Sequence, residues 1–267
     1  MKHVRMMVAA LAAGSAATVM AGLYGDTPDA LHAWAVHDMN RPVPKKITAE
    51  PGQPPSDAIV LFDGTSLDNW ESTKGEPTKW RLVDGALESV KGAGYIRTKQ
   101  SFGDCQLHIE WKTPEGVPAR VTDQNRSNSG VFFMGRYEVQ VFDSWQKQSE
   151  YPGMECGGIY QRWDQGRTPP GFEGHSPRIN ASRAPGQWQS FEVVFRAPRF
   201  DARGKKVENA RFVEVRVNGV VVQNNVEVTG PTRASMWEDE KPLGPIMLQG
   251  DHGPITYRNV WVLPIGK

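Results

Sequence analysis

Cysteine is scarce in this chain. Only Cys105 and Cys156 occur among 267 residues, which excludes a disulfide-rich scaffold and any metal site built on four thiolates. Cys105 opens an expected strand and Cys156 lies in a glycine-rich loop, and whether the two pair stays open. An excess of one charge sign is also missing. With 31 Lys+Arg against 30 Asp+Glu, a net charge of +1, no field favours nucleic acid or an anionic membrane surface. Past residue 58 no stretch of ten or more residues shows helical periodicity. Also absent are internal repeats, a glycine-rich phosphate loop, a nucleophile elbow, a His-Glu-x-x-His pair and an EF-hand loop. Nucleotide-binding, serine-hydrolase, zincin and calcium-sensor classes are thereby set aside.

The apolar run that does exist is at the start. "MKHVR" supplies a basic region and "MMVAALAAGSAATVM" an apolar one, with a small-residue cleavage site at Val19-Met20-Ala21. The rival is an uncleaved anchor, but this run is rich in Ala, Gly, Ser and Thr and barely reaches spanning length. Residues 1–21 are therefore expected to be a signal peptide, and the mature protein exported to the periplasm or beyond, without further membrane association. Residues 22–57 carry six prolines and read as an extended lead segment over the domain that follows.

From residue 58 to 265 the chain is written in strands and turns, and its nine tryptophans and twenty-seven glycines suit a turn-rich β protein. "CQLHIEWK" alternates Leu107, Ile109 and Trp111 against Gln106, His108, Glu110 and Lys112. "RYEVQVFD" alternates Tyr137, Val139 and Val141 against Glu138, Gln140 and Phe142. "QSFEVVFRAP" does the same after a Trp188 expected in the core, and Asn218-Gly219 suits a type I′ turn between two β-branched runs. Alternation at this density predicts antiparallel sheets with one face in a core. The simplest solution is a two-sheet, jelly-roll-like sandwich. If "CQLHIEWK" and "RYEVQVFD" pair, Glu110, Glu138 and Gln140 meet on one outer sheet surface.

Candidate chemistry concentrates in two places. In residues 125–145, Asn128, Ser129 and Gly130 turn into a strand, and the next strand delivers Glu138, Gln140, Asp143 and Trp145. Acids and amides that hold hydroxyls, beside an aromatic face, suit a sugar ring; the plain alternative is a hairpin with a polar outer face. "GGIYQRWD" adds Tyr160 and Trp163 as candidate ring-facing aromatics. The second place is "LQGDHG", where His252 sits in a turn framed by Gly250 and Gly253. Histidine suits a general base near neutral pH, although a lone turn histidine is commonly inert. Arg258 suits an oxyanion, but its parity with Val260 and Val262 aims it at the core unless a bulge turns it. The spacing of Glu138, Asp143 and His252 permits a divalent cation without demanding one.

Five blocks, "LFDGTSLDNW", "NSGVFFMGRYEVQVFD", "PGQWQSFEVVFR", "VNGVVVQNN" and "GPIMLQGDHGPITYRNVWV", stand in the order and spacing of the 3-keto-disaccharide hydrolase family. The chain resembles that family over roughly residues 58–265. The resemblance implies a concanavalin A-like lectin/glucanase sandwich, exported by bacteria that degrade polysaccharides. It also implies substrates whose sugar carries a ketone at C3, cleaved by C2 proton abstraction, elimination of the C1 substituent and readdition of water. On that basis His252 or Glu138 is expected as the base, with the other assisting. Arg258 or a bound cation is expected at the enolate oxygen; Glu110, Asn128, Gln140, Asp143 and Gln249 are expected to bind substrate, with Tyr160 or Trp145 packed on the ring. Members of the family often read "LQDHG", whereas here Gly250 separates Gln249 from Asp251. Two other readings stay open: a non-catalytic carbohydrate-binding module, and an ordinary glycoside hydrolase using Glu110 and Glu138.

Overall fold

The computed structural model describes residues 42–43, 45–116, 127–145 and 155–266. The expected signal peptide and most of the lead segment lie outside the described residues. Every described strand falls in the compact unit that begins at Thr48, and no helix occurs among the described residues.

The first strands are β1 (Ile59–Phe62), β2 (Trp70–Ser72), β3 (Arg81–Val83), β4 (Ala86–Glu88), β5 (Ile96–Phe102) and β6 (Cys105–Lys112). There follow β7 (Ser129–Phe133), β8 (Tyr137–Val141), β9 (Ile159–Asp164), β10 (Gly171–His175), β11 (Gln189–Arg196), β12 (Arg199–Phe200) and β13 (Lys206–Glu208). The chain closes with β14 (Ala210–Val217), β15 (Val220–Val228), β16 (Gly244–Leu248) and β17 (Thr256–Pro264).

Two antiparallel sheets hold nearly all of them. One has eight strands in the order β15-β14-β11-β6-β17-β4-β3, with β1 also paired to β17; the other has seven, β10-β9-β8-β7-β16-β5-β2. This is the two-sheet antiparallel sandwich of concanavalin A-like lectin/glucanase type. The period-2 patterns explain it: Leu107, Ile109, Trp111, Phe191, Val193 and Phe195 face inward from one sheet, and Val131, Phe133, Tyr137, Val139 and Val141 from the other. Aromatic contacts join the sheets, Phe133 to Phe195 at 5.0 Å and Tyr137 to Phe195 at 5.5 Å between ring centroids. The β14–β15 turn has Asn218 and Gly219 both at positive φ, 52° and 82°, as a type I′ hairpin requires.

The structure settles two open points and overturns one expectation here. β6 and β8 do not pair, because each joins a different sheet; alternation tells which face a residue takes but not which neighbour its strand finds. Trp188 is not in the core. Gln189, Phe191, Val193 and Phe195 take the inward positions, so the residue before them turns outward. The two cysteines are free and buried, and burial pushes both thiols up to about 12.

Candidate active site

The outer face of the seven-stranded sheet can be built from its register. Leu248 pairs with Ile96 on β5 and with Val131 on β7, and all three face the core. Their neighbours Tyr95, Gln249 and Gly130 therefore share the opposite face, and the Gln249 N–H donates to the Gly130 carbonyl at 3.0 Å. Gly130 in turn pairs with Gln140 on β8, and Phe132 with Glu138. One row across four strands thus reads Tyr95–Gln249–Gly130–Gln140, with Phe132 and Glu138 beside it.

Gly130 is the floor of this row. A Cβ there would overlap the Oε1 of Glu138, so the missing side chain is what lets the carboxyl lie between the two glutamines. Glu138 is 2 % exposed. Its backbone N–H donates to Thr232 Oγ1 at 3.1 Å, and that hydroxyl donates on to the Arg136 carbonyl, which pins the end of β8. Burial, helped by the charge of Asp251, raises its carboxyl well above the usual carboxylate range. Among the described residues no Lys or Arg forms an ion pair with it. Burial thus favours the protonated form of Glu138.

The turn after β16 brings the second group of candidates. Trp80 packs beneath Gly250, close enough that a Cβ would collide with the indole and stand 2.8 Å from the Gly94 carbonyl. The glycine between Gln249 and Asp251 is thus the consequence of a tryptophan underneath. Ser89 ties the far side of the turn, its hydroxyl accepting from the Ile255 N–H at 3.0 Å. His252 Nε2 lies 3.6 Å from Asp251 Oδ1, so Asp251 keeps company with His252 at ion-pair range, beyond hydrogen-bond length.

Tyr95, which the motifs did not single out, connects the two groups. Its ring leans on Phe132, centroids 6.1 Å apart, and its hydroxyl interacts with both Gln249 and Asp251. Burial first, then the charges of Asp251 and Glu138, raise its phenol above the ordinary tyrosine range. Gln249 is 5 % exposed, and its Oε1 has no hydrogen-bond partner. The only sequence signal for Tyr95 was a tyrosine following Gly92 and Gly94 at the mouth of a strand.

The remaining candidates divide. Tyr160 is half-buried on β9, and burial together with the Glu138 charge raises its phenol, which places it at the same face. The Gln140 amide donates to Asn128 Oδ1 (2.6 Å), Ser129 O (2.7 Å) and Val141 O (3.0 Å); its donors are engaged internally, which makes it a brace for the Asn128 turn. Asp143 is buried and accepts from the Trp145 N–H at 3.2 Å, while the Trp145 ring is 39 % exposed.

Glu110 and Arg258 are not brought to this site. Both lie on the outer face of the eight-stranded sheet, where Arg258 Nε donates to Glu110 Oε2 at 2.6 Å and its guanidinium stacks on Trp188 at 4.0 Å. The parity of Arg258 is reversed by a bulge: Arg258 opposes Glu110 but Trp261 opposes His108, and Asn259 takes φ 46° at the extra position. No group of three or more His, Cys, Asp or Glu placed to hold a metal ion occurs among the described residues, so Glu138, Asp143 and His252 do not form one.

The chain is similar in structure to a provisionally named glycosyl hydrolase of Parabacteroides distasonis ATCC 8503, at 35 % identity and TM-score 0.73, covering 87 % of this chain and 98 % of that one. Two further proteins of that organism with the same provisional description share the fold. One is 21 % identical (TM-score 0.51, covering 78 % and 99 %) and the other 16 % identical (TM-score 0.52, covering 79 % and 94 %). No curated protein matches. Residues 57–263 match the family described as 3-keto-alpha-glucoside-1,2-lyase-like domain, and this chain belongs to that family.

Proposed function

We propose that this protein is an exported glycoside-cleaving enzyme acting on sugars already oxidised to a ketone at C3. The observation that carries the reading is Glu138: a buried carboxyl seated over Gly130, its protonated form favoured by burial, in reach of the charge of Asp251 and so of the turn that bears His252. A face that only gripped glycan gains nothing from burying an acid, which costs stability unless the acid has a task.

Each step then has a group in this chain. A C3 ketone acidifies the hydrogen on C2. His252, companioned by Asp251, takes that proton; the C–H electron pair moves into the C2–C3 bond and the carbonyl pair onto oxygen. As the enolate collapses, the C1–O bond breaks and Glu138 gives its proton to the departing oxygen. Water adds to the unsaturated sugar to complete a net hydrolysis. Tyr160 offers a flat surface for the ring, and Gln249 an acceptor for a hydroxyl. An ordinary glycosidase pair of Glu110 and Glu138 is not favoured, because those residues stand on outer faces of different sheets and do not flank one bond.

The test is to incubate the protein with a 3-keto-disaccharide and with its unoxidised parent and to follow free sugar. Release from the keto form alone, with solvent deuterium entering C2, is the expected result. Cleavage of the parent disaccharide, or binding without cleavage of either, overturns the proposal.

A further inference from the structure

The reaction has a requirement that His252 and Glu138 leave unmet: negative charge grows on the C3 oxygen as the C2 hydrogen departs, and a donor must face it. Arg258, expected in that role, is bound to Glu110 on the other side of the sandwich. Two neighbouring groups on the site face have hydrogen-bonding capacity to offer. Gln249 is held at its backbone from both sides, by the Gly130 carbonyl at 3.0 Å and by the Ser129 hydroxyl at 2.6 Å. Its side chain is buried with Oε1 unpartnered, and a buried acceptor without a donor is rare unless a ligand or water supplies one. Tyr95 stands next to it across the β5–β16 ladder, its ring braced on Phe132.

We infer that Tyr95 and Gln249 read the oxidised sugar as a pair: the Tyr95 hydroxyl donates to the C3 oxygen as it becomes an enolate, and Gln249 Oε1 accepts from the hydroxyl on an adjacent carbon. This rests on the function proposed above. A ketone beside a hydroxyl is an acceptor next to a donor, and two neighbouring strands present the complementary donor and acceptor side by side. In the resting protein the Asp251 carboxylate lies near enough to the Tyr95 hydroxyl to raise its pKa and to compete for its proton. A neutral ketone competes poorly with a carboxylate, whereas an enolate oxygen carries charge and competes well. The bond is therefore made most strongly in the transition state, which raises turnover more than affinity. Tyr95 keeps its proton throughout; the C2 proton goes to His252. Burial and the Asp251 carboxylate favour the protonated phenol.

The experiment uses the full chain with a 3-keto-disaccharide in deuterated water, measuring sugar release and C2 exchange together. Tyr95→Phe keeps the ring on Phe132 and removes the donor; kcat is expected to fall roughly 10²–10³-fold, with exchange slowed in parallel and KM moved less than about threefold. Site-specific 3-fluorotyrosine at position 95 keeps the shape and changes only the acidity of the hydroxyl, and it is expected to change kcat at unchanged Tm. A folded Tyr95→Phe protein with wild-type exchange, or a fluorotyrosine protein with wild-type kcat across the pH range, overturns the role of Tyr95 alone. A wild-type protein that exchanges no C2 hydrogen overturns the proposed reaction as well.

Discussion

The two outer faces of this sandwich are made of similar residues and differ in how those residues are satisfied. On the eight-stranded sheet, His108 binds Glu192 through Nδ1 and lies 3.5 Å from Glu110, Glu110 takes hydrogen bonds from Arg258 and Asn259, and Trp188 lies under Arg258 and Lys112. The His108 ring also stacks on Trp261 at 5.1 Å, and the Asn259 amide reaches the Gly52 carbonyl at 3.2 Å. His108, Glu110, Glu192 and Arg258 there each have an opposite charge or a hydrogen bond. On the seven-stranded sheet, Glu138 is more deeply buried yet carries no cation among the described residues, and Gln249 has an acceptor without a donor. A folded chain tolerates such groups where something other than stability requires them. The contrast supports the proposed site on the seven-stranded face, and it can be broken experimentally.

The largest effect is expected from Gly130→Ala, which drives a methyl into the Glu138 carboxyl. Sugar release from a 3-keto-disaccharide should fall on the order of 10²-fold or more, as for loss of a positioned proton donor, while the equivalent change at the solvent-facing Gly219 has no such consequence for activity. Glu138→Gln should remove activity to a similar degree and at the same time stabilise the protein. The folded-state carboxyl pKa is raised, so the acid's contribution to stability is complete below the unfolded value near 4.5 and is lost as pH rises through the folded value. Melting curves of the variant should therefore lie a few degrees above wild type, by roughly 2–4 °C per kcal/mol, at pH 7 and coincide with it near pH 4. An unchanged Tm at both pH values would remove the buried, protonated Glu138 from the scheme.

Gly250→Ala comes next. The collision with Trp80 should cost about 1–3 kcal/mol and displace the His252 turn, seen as lower Tm together with slower C2 exchange. On the opposite face, effects should be small and confined to stability. Arg258→Ala removes a pair whose arginine is 44 % exposed; a loss within about 1 kcal/mol and turnover within about twofold are expected. Turnover reduced a hundredfold would return Arg258 to the site. Glu192→Gln should act most at low pH, its effect fading as His108 loses its proton. Burial opposes the charged form of His108, but the hydrogen bond and charge of Glu192, with Glu110, outweigh it and raise its pKa. That stabilisation is fully present below about 6.5, the unperturbed histidine value, and is lost as pH rises through the raised one. Urea midpoints of variant and wild type should differ at pH 5.5 and converge in alkaline solution.

Much of this was legible in single strands. The alternation in "RYEVQVFD" placed Glu138 and Gln140 opposite Tyr137, Val139 and Val141, and that division holds because a side chain's face depends only on parity. Gly130 before a strand and the glycines around His252 announced tight local geometry. Three things were not legible. The partner of a strand is set by packing across the whole domain, so Glu110 was assigned to the wrong surface. The Asn259 bulge reverses parity by one residue and carries Arg258 outward, and no residue pattern in "TYRNVWV" announces it. Tyr95 has no motif; it matters because β16 lies between β5 and β7.

By itself the sequence determined the all-β class, the inward and outward faces of most strands, the hairpin at Asn218-Gly219 and the shared face of Glu138 and Gln140. These follow from local sterics and period-2 burial, which act over a few residues. Tertiary structure alone decided that Glu138 sits over Gly130, that Trp80 demands Gly250, that Tyr95 adjoins Gln249 and that Glu110 and Arg258 neutralise each other elsewhere. Those outcomes depend on which strands meet across the sheets, and so on contacts between residues 8 to 170 positions apart along the chain.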